Sequence, residues 1–277
     1  MLTETDVKIG RPALREAAFG VTPECWPLPT AHSPGELWLR AVAAAGQGRY
    51  ASARSDLAAL RRQQTHGPVA SLAHSAHASF LRQLGHHRLA RGWDGRALAL
   101  AGNQRDDPRC AEAANDALIG LAADALGIGR LKTSARFLEC AKDQLTDVPN
   151  LPRLRIRMAW VSAELAMAGG DGKTAVRNAQ LGVELARGAS SYRRHRIKSD
   201  VVLAAALCTA GSLERARAVA DTALADAAVH GLVPLQWALA CLLSDIGSST
   251  HPSQVIADIR AESAEIITRR GGQWCGG

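Results

Sequence analysis

The chain is poor in aromatic residues and has no long, uncharged apolar segment. Phenylalanine, tryptophan and tyrosine make up 4% of its 277 residues. No window approaches the roughly 18 consecutive apolar residues that a membrane-spanning helix needs, and residues 1–19 lack the apolar core of a signal peptide. Runs of β-branched residues are short, and alternation of period two is rare. We therefore expect an all-α, cytoplasmic chain without membrane association.

Signatures of catalysis and metal binding are also missing. The sequence has no Walker A string, no Gly-x-Ser-x-Gly and no His-Glu-x-x-His, and its six cysteines form no Cys-x-x-Cys pair. The segment 169–174 ends in Gly-Lys-Thr but follows a predicted helix instead of a strand. Four histidines (His74, His77, His86 and His87) cluster without a cysteine or acidic residue nearby to complete a metal site. We expect no enzymatic activity, no catalytic residue, no cofactor and no metal.

Positive charge exceeds negative charge. The chain has 33 lysines and arginines against 26 acidic residues, a formal net charge of +7, and 28 of the 33 cations are arginine. This excess is compatible with nucleic acid or with an acidic protein partner. A GC-rich genome would produce the same preference for arginine without any functional reason.

Four glycines, Gly85, Gly127, Gly169 and Gly211, follow one another at intervals of 42 residues. An alanine- and leucine-rich stretch precedes each one, and a second amphipathic stretch follows it. A fixed period of 20–50 residues is typical of stacked repeats. We therefore predict that these glycines are turn residues inside helical pairs, at least some of them with positive φ.

The helix-breaking prolines and glycines between the amphipathic stretches predict the domain organisation. We expect an irregular arm over residues 1–33 with one short helical turn, helical repeats over 34–247, a capping helix over 248–270 and a flexible tail over 271–277. Ser33, Pro34 and Glu36 form a typical helix start. The six predicted pairs are 34–46 with 50–64, 69–84 with 87–101, 110–126 with 130–145, 152–168 with 173–187, 193–210 with 213–230, and 234–246 with 252–270.

Residues 34–247 resemble the tetratricopeptide repeat (TPR) family, in the longer form found in bacterial regulatory and signalling proteins. The family has a small residue about seven positions before the turn glycine, and Ala78, Gly120, Ser162 and Ala204 are assigned to that position. The resemblance implies a right-handed α-solenoid of about six antiparallel helix pairs and a scaffold or adaptor role. The period of 42 departs from the usual 34. No charged groove for a peptide carboxylate is recognisable, because the corresponding positions are small or apolar.

The most distinctive local feature is a group of cations at the starts of two predicted helices. Cations there oppose the helix dipole, and the repeat places the two helix starts side by side, so we predict a cationic ledge that binds an anion or an acidic partner. Pairing with Asp143, Asp147, Glu184 or Asp200, or simple solvation, would account for the same charges. The predicted ledge residues are Arg153, Arg155, Arg157, Arg193, Arg194, His195, Arg196 and Lys198.

Two kinds of function fit these observations. The first is a non-enzymatic interaction module that binds a peptide or protein partner on an inner surface, as stacked helical repeats do. The second is a transcription-associated regulatory protein that contacts nucleic acid or an acidic partner through the ledge, although no DNA-reading element is recognisable. The sequence does not indicate an oligomeric state.

Overall fold

The computed structural model describes residues 12–102, 107–146, 151–189 and 191–276. These ranges contain thirteen α-helices and no strand, so the predicted all-α class is confirmed. Helix α1 (Pro12–Phe19) coincides with the short helical turn expected in the N-terminal arm. The first eleven residues of that arm, and the segment 147–150 with Asp147 and Pro149, lie outside the described residues.

The other twelve helices follow as six pairs whose ends fall within two residues of the predicted ones. Each helix contacts its partner within the pair, and successive pairs contact each other in chain order. The pairs are α2 (Pro34–Gly46) with α3 (Tyr50–Gln63), α4 (Pro68–Gln83) with α5 (His87–Leu100), α6 (Pro108–Gly127) with α7 (Leu131–Thr146), α8 (Pro152–Ala168) with α9 (Gly172–Gly188), α10 (Arg193–Thr209) with α11 (Leu213–Val229), and α12 (Val233–Ile246) with α13 (Ser253–Arg269).

Local sequence signals account for the helix starts. Ser33 caps α2, because its hydroxyl accepts a hydrogen bond from the amide of Glu36 at 3.3 Å. Proline occupies the first turn of α2, α4, α6, α8 and α12. Backbone N–H groups there have no acceptor within the helix, so proline, which lacks an N–H, removes no helical hydrogen bond. None of the described helices is long and apolar enough to cross a bilayer.

The first five pairs share one three-residue turn with a left-handed glycine at its centre. These glycines have φ between 75° and 88°, and the amide of the residue after each one donates a hydrogen bond to the carbonyl five residues earlier, as His86 N does to Leu81 O at 2.9 Å. Gly85 and Gly211 have this geometry. Gly127 instead ends α6, and Gly169 directly follows α8 with φ of −83°. The turn centres are Gly48, Gly85, Gly129, Gly170 and Gly211.

Counting from these centres corrects the positions of the small residues. Seven positions before the centre stands a fully buried alanine in each of these five pairs, and in the third and fourth pairs this residue is Ala122 and Ala163 instead of Gly120 and Ser162. Five positions after the centre stands another fully buried small residue. The alanines before the turn are Ala41, Ala78, Ala122, Ala163 and Ala204, and the residues after it are Ala53, Ala90, Ser134, Ala175 and Ala216.

The C-terminal segment packs against the first two pairs. The amide of Ala51 donates to the carbonyl of Arg270 at 2.9 Å, and the amide of Cys275 donates to the carbonyl of Leu84 at 2.8 Å. Residues 271–276, which we expected to form a flexible tail, hydrogen-bond to Arg54 of α3 and to the turn of α4–α5. At the other end of the chain, α1 packs on α2 and contacts α10.

The positions of the buried alanines predict different effects on stability for substitutions at two neighbouring residues. Ala163→Leu should lower the free energy of unfolding by about 1–3 kcal/mol, because the added atoms have no space between the helices. Ser162→Leu, at a half-exposed position, should change it much less. Chemical denaturation of both variants measures this, and equal effects would place the wrong residue at the contact.

The turn geometry makes a second prediction. Gly129 has φ of +76° with no atom within 4 Å of an added Cβ, so Gly129→Ala should cost about 1–2 kcal/mol through backbone strain alone. Gly188→Ala is the matched control, since Gly188 has equally open space but ends helix α9 without a positive φ. Thermal unfolding should show a lower midpoint only for Gly129→Ala, and an unchanged midpoint there would contradict the assigned turn.

Candidate functional site: an aromatic and cationic cavity

The first helix of every pair contributes to the wall of one cavity of about 590 Å³. These helices, α2, α4, α6, α8, α10 and α12, also contact one another in sequence order, so they form a continuous inner layer. Phe19 at the end of α1 and Trp274 in the C-terminal segment complete the wall. The contacts between the two ends of the chain therefore help to enclose this space.

The wall holds most of the chain's few aromatic residues. Seven of the eleven line the cavity, namely Phe19, Trp38, Tyr50, Phe80, Trp160, Trp237 and Trp274. Several pack against one another, with ring centroids 5.4 Å apart for Phe19 and Trp38 and 4.4 Å apart for Trp237 and Trp274. Among the tryptophans at 38, 93, 160 and 237, only Trp93 lies off the cavity, where it stacks on His77 with ring centroids 4.2 Å apart.

The predicted ledge residues divide between this cavity and other surroundings. Five of the eight line it: Arg153, Arg157, Arg194, His195 and Lys198. The other three do not: Arg155 donates to the carbonyl of Leu145 at 3.0 Å, Arg193 begins α10, and Arg196 is exposed on the same helix. The reason is rotation about the helix axis, since residues four apart share a face and residues two apart do not.

Two of the arginines pair with carboxylates of α6. Arg153 donates to Glu112 at 3.0 Å and to Asp116 at 2.8 Å, and Arg157 also pairs with Asp116. None of the partners considered from the sequence forms an ion pair with these arginines in the described residues, and Asp147 lies outside them. Glu112 and Asp116 each precede the arginine they contact by 41 residues. Searching for opposite charges one repeat apart could therefore have found them.

A further buried cluster, which the sequence reading missed, lies where α4, α5 and α6 meet. Arg82 lines the cavity and pairs with Asp94 and with Asp124, the second at 2.8 Å. Burial, opposed by Arg82 and assisted by Asp124, raises the pKa of Asp94 from 3.8 to about 7. Two carboxylates facing one guanidinium cannot both be neutralised by it, so one of them retains a proton at higher pH than usual.

Arg194 differs from the other cations of the cavity. Its Nη1 donates to the carbonyl of Val42 at 3.0 Å, near the C-terminal end of α2. Arg82, Arg153, Arg157 and Lys198 each have a carboxylate within 4 Å, whereas Arg194 has none among the described residues. Burial, together with the field of Arg153, lowers the pKa of Arg194 to about 10, so the side chain remains charged at neutral pH.

Beside Arg194, His195 lines the cavity as a neutral ring. It stacks on Trp160 with centroids 5.4 Å apart, and burial, with the fields of three nearby arginines, lowers its pKa well below the usual value. Its Nδ1 is buried without a hydrogen-bond partner in the described part of the chain. Lys198 lies one helical turn after Arg194, 6.0 Å from the Trp160 ring and 3.6 Å from Glu164.

The remaining sequence candidates have local structural roles. Asp171 accepts a hydrogen bond from the amide of Thr174 at 2.9 Å, so this carboxylate already occupies the helix start of the Gly-Lys-Thr segment. His74 contacts the carbonyl of Ala70 at 2.8 Å, and His86 contacts that of Gln273. The part of the chain that the structure covers contains no group of three or more side chains arranged to hold a metal.

Comparison with models of known protein families gives no match for this chain, and no curated protein matches it either. Any function therefore has to follow from the cavity and its side chains.

The buried cluster predicts a pH dependence of stability that one substitution should remove. The folded state holds a proton on Asp94 up to about pH 7, while the unfolded state releases it near 3.8, so folding binds a proton between these values. The free energy of unfolding should therefore fall as pH rises from about 4 to about 7. Asp94→Asn should reduce this slope, and Asp258→Asn, at an exposed carboxylate, should preserve it. Urea denaturation at several pH values measures the slopes, and identical slopes would contradict the shifted pKa.

Proposed function

We propose that this chain is a non-enzymatic interaction module, a TPR-like right-handed α-solenoid that binds a peptide segment of a protein partner in its cavity. The observation that carries the proposal is the concentration of aromatic and cationic side chains on this wall. Aromatic residues and arginine contribute most of the binding energy at protein interfaces. In a chain with so few aromatics, their placement on one inner wall favours binding over packing alone.

The regular turns support the TPR-like part of the proposal. Each of the first five pairs has a buried alanine seven positions before its turn centre, which matches the small residue of the family pattern more closely than the positions first assigned from the sequence. The first helix of each pair contributes to the cavity wall, and among the second helices only α3, α5 and α13 do so, with one residue each (Tyr50, His87 and Ile267). A wall made mainly of first helices is expected where a helical-repeat protein binds on its inner face.

The size of the cavity limits what can enter it. A volume of about 590 Å³ falls within the roughly 300–1,000 Å³ typical of sites for small ligands. A few residues of an extended peptide fit such a space, and a folded domain does not. A role without catalysis is also consistent with Asp94, whose shifted carboxyl is fully buried behind Arg82 instead of lining the cavity.

Contact with nucleic acid gains no support from the site. That alternative depended on an outward-facing ledge, whereas five of the eight ledge residues surround the cavity. We therefore retain the peptide-binding proposal alone.

Peptide selection followed by substitution tests this function. Peptides selected from a random display library on the wild-type chain should bind Trp237→Ala at least about tenfold more weakly, because that aromatic lies at the centre of the proposed contact. Trp26→Ala is the matched control, since Trp26 is exposed and does not line the cavity. Fluorescence anisotropy with labelled peptides gives the affinities, and thermal unfolding confirms that both variants fold.

Two results would reject the proposal. One is a selection that yields no binding peptide. The other is a set of peptides that bind Trp237→Ala as tightly as they bind the parent chain.

A further inference from the structure

Arg194 has hydrogen-bond donors that no acceptor in the described residues uses. A guanidinium carries five N–H donors, and Arg194 makes one hydrogen bond to the described protein, through Nη1 to Val42. A positive charge near the end of α2 is favourable for the helix dipole. That contact accounts for a single donor and leaves the others without an acceptor among the described residues, on a side chain that lines the cavity.

Keeping this half-buried cation without a counter-ion is unfavourable. A charge removed from water is normally compensated by an opposite charge and by hydrogen bonds. The field of Arg194 also contributes to lowering the pKa of Arg157, so the two guanidiniums repel one another across the wall. An anion placed between them would relieve both effects.

The surroundings of Arg194 offer further partners to an anion. Lys198 lies on the same helical face, one turn after Arg194, and its side chain is a third exposed. The neighbouring wall is aromatic, with the Phe19 ring 6.0 Å from the guanidinium of Arg194 and Trp160 stacked on His195.

We propose that Arg194, with Arg157 and Lys198, forms an anion subsite, and that the bound ligand is an amphipathic anion. Its carboxylate, sulfonate or phosphate contacts these cations, while its aromatic or branched apolar body lies against Phe19 and Trp160. This inference rests on the proposed function in that it names the chemistry which the same cavity recognises. The shared chemistry has two sources, a small organic acid or the free carboxyl end of a peptide.

A matched pair of fluorescent probes tests the subsite. 1-Anilinonaphthalene-8-sulfonate and N-phenyl-1-naphthylamine share the same aromatic body, and only the first carries an anionic group. Arg194→Gln should raise the Kd of the sulfonate by about tenfold, as expected for loss of a hydrogen bond between charged groups. It should leave the Kd of the neutral amine within about twofold.

The control removes the same charge from the same helix. Arg196 is exposed and does not line the cavity, so Arg196→Gln should leave both probes unaffected. Equal losses for the two probes in Arg194→Gln, or no loss for the sulfonate, would overturn the subsite. Should Arg194→Gln fail to fold, Lys198→Gln replaces it, because that side chain is a third exposed, and an equal effect on both probes there also overturns the proposal.

Displacement of the bound sulfonate probe distinguishes the two sources. The competitors are 2-naphthoate, the dipeptide acetyl-Trp-Leu with a free carboxylate, and the same dipeptide as its C-terminal amide. Stronger displacement by the dipeptide acid supports a peptide terminus, and stronger displacement by 2-naphthoate supports a small organic acid. Measurable displacement that is equal for the dipeptide acid and its amide overturns the requirement for an anion.

The two proposals fail separately. If selected peptides bind at Trp237 while Arg194→Gln affects both probes equally, the interaction module stands and the anion subsite is wrong. If the sulfonate depends on Arg194 but no peptide is selected, the subsite stands and the peptide partner is wrong.

Discussion

The close approach of the two helices in each pair is the constraint on which the rest of this structure depends. A left-handed glycine reverses the chain within three residues, and a fully buried small residue on each side of it lets the two helices pack without an intervening side chain. Small residues at such contacts shorten the distance between helix axes. With alanine filling these contacts, the large aromatic side chains are not needed between the helices of a pair.

The use of alanine at these contacts explains where the aromatic residues lie. Trp38, Trp160 and Trp237 belong to first helices and face inward, where successive pairs leave an enclosed space instead of a filled core. Protein interiors are normally packed with few voids larger than a water molecule. A cavity of this size, walled by side chains that could have filled a core, is therefore consistent with a site kept open for a ligand.

The charges of the wall follow the same repeat. Arg153 with Glu112, Arg157 with Asp116 and Arg82 with Asp124 all pair residues 41 or 42 positions apart, from one first helix to the next. Removing one partner of a buried pair leaves an uncompensated charge, which is strongly destabilising. Arg194 has no such partner among the described residues, and this difference separates it from the pairs that hold neighbouring helices together.

The sequence by itself determined the helices and their pairing, because capping residues, prolines and amphipathic periodicity act over only a few residues. Of the four glycines predicted to be turn residues, Gly85 and Gly211 are turn centres and Gly169 begins its turn, whereas Gly127 still belongs to α6. A strict interval of 42 cannot select every centre, because the true centres are separated by 37, 44, 41 and 41 residues. Only the tertiary structure decided which arginines face the cavity. A side chain's direction depends on the rotation of its helix, which packing against neighbouring helices sets. It also decided that the C-terminal segment packs against the first two pairs, because these contacts join residues 187 and 217 positions apart and leave no local signal in the sequence.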